Sequence, residues 1–144
     1  MKMTQEEYRR WADRHAPRSP LGRDLLSAFV AGGLICCLGQ FFLEVYGSLG
    51  LSEQEASTAC SITMVFLGAA LTGLGLYDRL ARRAGAGTLV PITGFANSVV
   101  APALEFKTEG FITGMAAKMF VIAGPVLVFG VSAGVIYGLL LCLL

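Results

Sequence analysis

Polar positions crowd into the first 23 residues, and long apolar runs follow. From Leu25 to Tyr46 the chain reads LLSAFVAGGLICCLGQFFLEVY, with Gln40 and Glu44 as polar exceptions near its end. About 20 apolar helical residues cross the hydrocarbon of a bilayer, so this run predicts a first spanning helix over about 25–46. The loop 47–56 carries Glu53 and Glu55 and no basic residue. A second span is predicted over about Ser57–Tyr77, and Asp78, Arg79, Arg82 and Arg83 follow it at once.

The next stretch, AGAGTLVPITGFANSVVAPALEF (84–106), is apolar but interrupted by Pro91, Gly94, Asn97, Ser98 and Pro102. A plain spanning helix with so many breakers would leave backbone groups unpaired in lipid. Short apolar segments broken by Gly and Pro are typical of re-entrant loops and discontinuous helices. The pattern predicts a broken, membrane-embedded element with a half-helix starting near Pro91; a simple distorted span is the plainer alternative. Glu105, Lys107, Glu109 and Lys118 then form a polar joint, and a final helix is expected over about 119–143. Residues 111–144 are too many for one straight span, which predicts a break near Gly124-Pro125 or an interfacial start. Gly130, Gly134 and Gly138 lie four apart on one helix face, a stripe that lets another helix approach closely. A chain with 18 glycines can also produce such a stripe by chance.

The expected fold is therefore all-α: a polytopic membrane helix bundle with three to four membrane segments, one of them broken or re-entrant at about 84–106. Residues 24–144 form a single membrane domain, preceded by a polar segment over 1–23. In that segment Thr4 and Glu7 fit a capping box that opens a short helix. Tyr8, Trp11, Ala12 and His15 share one face of it, and Pro17 ends it. Such a helix could lie on the membrane interface, or the segment could be a partly disordered tail. It is not a secretory leader, because the apolar run behind it is too long and has no clear cleavage site.

Charge orients this plan. Arg9, Arg10, Arg14, Arg18 and Arg23 precede the first span, Arg79, Arg82 and Arg83 follow the second, and the loop between has none. The positive-inside rule puts the N-terminal segment and the 78–84 loop in the cytoplasm. The C-terminus is then outside if 84–104 re-enters and inside if it crosses.

Composition agrees: 55% of residues are hydrophobic and 15% charged, where a soluble domain carries about 25% charged. The net charge of +1 makes no case for nucleic-acid binding. Cys36, Cys37, Cys60 and Cys142 all lie in apolar runs without a CxxC, and His15 is far from them, so neither a metal nor another cofactor is expected. There is no Ser/His/Asp set, and GAGTLVP lacks the GK[ST] ending of a phosphate loop, so no enzyme is expected. Polar groups at membrane depth tend to line cavities or helix contacts. Thr93, Asn97 and Ser98 in the broken segment are accordingly the first candidates for contact with a solute, followed by Gln40 and Glu105. A half-helix N-terminus near Pro91 would present positive charge to an anion. The plainer reading is that Asn97 and Gln40 tie helices together and the charges mark the interface.

Taken together, GGLICCLGQ (32–40), LTGLGLYDRLARRAGAGTLVPITGFANSVVAPALEFKTEGFITG (71–114) and the closing Phe129-Gly130 helix resemble the stage V sporulation protein AC family of endospore formers, closely related to the AE family. The resemblance runs over about 25–140. The polar N-terminal extension favours AC over AE. The resemblance implies a multi-pass protein of the spore inner membrane, working with other stage V sporulation A membrane proteins in a homo- or hetero-oligomer. It implies a role in moving dipicolinic acid, as its calcium chelate, into the developing spore and out at germination. A mechanosensitive channel opened by bilayer tension, or a non-conducting scaffold subunit, would also fit the family.

Overall fold

The computed structural model describes residues 4–15 and 20–143. Helix α1 (Gln5–His15) opens with the expected capping box. The Glu7 carboxylate accepts the Thr4 N–H at 2.9 Å and the Thr4 hydroxyl at 3.0 Å, while Thr4 Oγ1 accepts the Glu7 N–H at 3.3 Å. The Thr4 backbone bond, then the hydroxyl bond, holds the Glu7 carboxyl below the usual carboxylate range. Tyr8 and Trp11 stack with ring centroids 6.4 Å apart. The side chain of His15 and the stop at Pro17 lie outside the described residues.

Three helical runs are long and apolar enough to cross a membrane: α2 (Leu21–Ser48), α3 (Glu53–Gly73), and the run Phe111–Leu143, which comprises one wide π-helical turn (Phe111–Ala116) and α7 (Ala117–Leu143). Among the described residues there is no strand. The 28 residues of α2 extend roughly 42 Å and the 21 of α3 roughly 32 Å, against about 30 Å of hydrocarbon. Helix α3 begins with a second capping box, in which Glu55 accepts the Ser52 N–H at 2.9 Å and the Ser52 hydroxyl at 2.7 Å. Pro125 sits inside α7 without ending it, and the run opens with the wide turn.

At the acidic-loop end, α2 and α3 are pinned by side chains. Thr63 donates to its own helix at Ala59 O (2.9 Å), which leaves its oxygen to receive the Tyr46 hydroxyl at 2.6 Å. Three residues before Thr63 on α3, the Cys60 thiol donates to Gly39 O at 3.3 Å.

At the arginine end a hairpin packs against both helices. The second apolar run stops at Gly73. Gly75, at φ 68, turns the chain into the short amphipathic helix α4 (Leu76–Ala84), and Gly85, at φ 53, turns it again. Helix α5 (Ala86–Leu89) then packs on α2, and α6 (Ile92–Glu105) runs back along α3. Both seams depend on absent side chains. A Cβ on Gly87 would overlap the backbone of Ala28. One on Gly68 would lie 2.8 Å from Thr93 O, and one on Gly94 would overlap the carbonyls of Thr88 and Leu89. Small residues let helices approach to backbone distance, where van der Waals contact replaces the hydrophobic effect that lipid cannot supply.

The register settles the direction of the hairpin. Thr93 lies against Gly68 and Asn97 against Thr72, so α6 runs parallel to α3, toward the arginine end. Residues 84–106 thus leave the arginine end, turn at Val90-Pro91 and return to the same end. The broken segment is re-entrant, and its half-helix starts at Ile92 with Pro91 as N-cap. Helix α7 leans on α6 near Ala123, which is 2% exposed. Every residue from Pro125 to Leu143 is exposed.

Candidate functional site

The tip of the hairpin is closed by a buried polar knot. Tyr77, at the start of α4, is 3% exposed. Its hydroxyl lies 2.6 Å from Thr88 O and 3.1 Å from Thr93 Oγ1, spanning both arms. Thr88 and Thr93 are themselves 1% and 6% exposed. Thr88 also donates to Gly85 O at 3.0 Å, so its own hydroxyl is satisfied inside the arm. No buried side-chain nitrogen or oxygen among the described residues lacks a hydrogen-bond partner, as the low dielectric at this depth requires.

One turn further along α6 the packing loosens. Thr72, Asp78, Ala81, Asn97, Ala101, Leu104 and Glu105 line an open cavity of about 450 Å³ between α3, α4 and α6. Thr72 Oγ1 lies 2.7 Å from Gly68 O and 2.9 Å from Asn97 Oδ1. One hydroxyl proton cannot serve two acceptors. With the Asn97 amide turned over, Nδ2 donates to Thr72 while Thr72 donates to Gly68 O, and both bonds form. Asn97 Oδ1 then faces away from Thr72. Asp78 is held from the side by Arg82 at 2.7 Å.

Of the residues singled out in the sequence, Asn97 and Glu105 share this cavity. Thr93 lies deeper, beneath Tyr77, and Ser98 is buried and donates to Phe95 O at 2.7 Å. Gln40 is on α2, where it donates to Glu44 at 3.3 Å, outside the cavity lining. Gly130, Gly134 and Gly138 have nothing of their own chain within 4 Å of an added Cβ. Tyr77, Thr72 and Asp78 were not singled out. Thr72 follows Gly68 by four residues on the face that meets α6, a spacing that could have flagged it. Among the described residues no three His, Cys, Asp or Glu side chains converge as a metal site would require.

Three apolar spans and a hairpin that enters and leaves at one end define a multi-pass α-helical membrane protein. The chain belongs to the SpoVAC/SpoVAEB sporulation membrane protein family, whose model matches residues 24–140. It is 41% identical over 141 residues to Stage V sporulation protein AC of Bacillus subtilis (strain 168), a match covering 97% of this chain and 94% of that protein. The resemblance carried by GGLICCLGQ and by GLYDR through ALEF is thus borne out, including its AC branch. No solved structure matches.

Proposed function

We propose that this chain is a subunit of the spore inner-membrane system that moves dipicolinic acid, as its calcium chelate, into the developing spore and out at germination. The observation that carries the reading is the re-entrant hairpin, with a polar cavity at its open end in a chain of this family. In transporters and channels, irregular backbone at membrane depth is tolerated where it lines a solute path. The cavity chemistry refines the solute. Asp78 and Glu105 would repel a bare dianion, but carboxylate and amide oxygens suit a hard divalent cation. The calcium of the chelate would meet Asn97, Glu105 and Asp78, while the positive start of α6 lies behind them under Tyr77. On the positive-inside rule this mouth faces the cytoplasm.

The reading extends to assembly. One chain with three spans is too thin to enclose a path for a chelate, and α7 leaves its outer length bare of its own chain. The missing wall is further copies or other stage V sporulation A membrane proteins, with Gly130, Gly134 and Gly138 as the contact stripe.

The test is dipicolinate efflux from liposomes holding this protein alone, followed by terbium fluorescence in the outer buffer. Efflux above that of empty liposomes, requiring calcium and lost in Asn97→Ala, is expected. Efflux unchanged in Asn97→Ala refutes the site. No efflux, with or without osmotic downshift, refutes conduction by this chain alone and leaves it a scaffold or partner-dependent subunit.

A further inference from the structure

A second concave region lies on the other side of α4, against α2. Ser27, Val30, Ala31, Leu34 and Ile35 of α2 fall at helical spacing on one face. Together with Leu80 and Ala84 of α4 they line an almost wholly apolar groove of about 360 Å³, to which Arg83 contributes. From Ser27 to Ile35 the groove follows α2 for roughly 12 Å into the membrane. Arg83 also lines the adjoining cavity of about 420 Å³, where it is joined by Arg82 and Asp24. Among the described residues Arg82 is paired with Asp78, and no ion pair reaches Arg83 or Arg79.

The occupant follows from where the groove runs. Its walls belong to a spanning helix, so the medium that fills it is hydrocarbon rather than water. Its arginine end lies at headgroup level, where Arg82 is engaged by Asp78 but the Arg83 guanidinium carries no ion pair among the described residues, and guanidinium forks match phosphate oxygens. Basic pockets between membrane helices bind anionic headgroups in this way. We propose that the α2–α4 groove is a binding site for one anionic phospholipid, with an acyl chain along Val30, Leu34 and Leu80 and its phosphate on Arg83. The site is separate from the Asn97 cavity and does not depend on what that cavity carries. It holds the bilayer against α4, the helix whose Tyr77 closes the hairpin.

Native mass spectrometry of the full chain, titrated with phosphatidylglycerol and phosphatidylcholine in a mild detergent, tests this. The protein should bind phosphatidylglycerol in preference, and Arg83→Gln should weaken that binding about fivefold, the equivalent of about 1 kcal/mol per arginine near the surface. Arg79→Gln, which removes the same charge from the same helix outside the groove, should leave the preference close to the parent's. Ala31→Phe, which fills the groove, should weaken binding of both lipids. Equal losses in Arg79→Gln and Arg83→Gln would overturn the site in favour of a general surface field. Parent-like binding in Ala31→Phe would overturn the acyl-chain placement. Competition by inorganic phosphate at matched concentration would assign Arg83 to a free anion instead. Each variant is compared by far-UV circular dichroism first, and should Ala31→Phe not fold, Ala31→Leu takes its place.

Discussion

Replacing Tyr77 with Phe isolates the knot that closes the hairpin. The change removes one oxygen and keeps the ring, so packing in this 3%-exposed site is preserved. The hydroxyl holds Thr88 O at 2.6 Å and approaches Thr93 Oγ1 at 3.1 Å, and both partners are buried. Leaving a buried polar group unpaired costs about 1–3 kcal/mol, which is roughly 5- to 150-fold in the folded-to-unfolded ratio. Thr93→Val removes only the longer contact and leaves the 2.6 Å bond to Thr88 O in place, so it should cost less. In the double variant the Thr93 hydroxyl is no longer there to be stranded, and the two costs should not add. Unfolding by SDS titration of protein reconstituted in mixed micelles, read by far-UV circular dichroism, gives the four free energies of the cycle. A Tyr77→Phe protein as stable as the parent, or a Thr93→Val protein less stable than Tyr77→Phe, would refute the knot.

Three further outcomes are expected. Gly94→Ala places a methyl against the carbonyls of Thr88 and Leu89, and overpacking of about 1–3 kcal/mol should appear in the same titration, where Gly73→Ala, with open space around it, should be near the parent. Reporter fusions should place the N-terminus and the 107–109 turn on the cytoplasmic side and the C-terminus on the other; an N- and C-terminus on one side would refute the re-entrant path. Gly134→Leu should weaken assembly, and complexes of unchanged size on native gels would remove the glycine stripe from the interface.

The spans and the hairpin were legible because lipid makes their signals strong. An apolar run of more than 20 residues has few soluble alternatives, and Pro91 with Gly94 marked the reversal because a continuous helix could not satisfy its backbone there. The stop at Gly73 was not legible. Leu74, Leu76 and Tyr77 prolong the apolar pattern, and only the positive φ of Gly75 reveals that the chain turns. Nor could Pro125 announce that α7 continues through it, since proline is tolerated in spanning helices. Asn97 stood out as a polar side chain among apolar ones. Its partner Thr72 and the knot around Tyr77 are pairings across 25, 11 and 16 residues, and spacing along one helix cannot encode them.

A hairpin that enters from one end gives the molecule unequal ends. Near the arginine end α5 and α6 stand beside the three spans, and at the other end only the three spans remain. The cross-section is therefore larger in one leaflet, and the protein is a wedge rather than a cylinder. A wedge fits best where its wide leaflet is the less crowded one, so its energy depends on the area mismatch between the two monolayers. Pulling the hairpin out or pushing it deeper would change the protein's area in that leaflet alone.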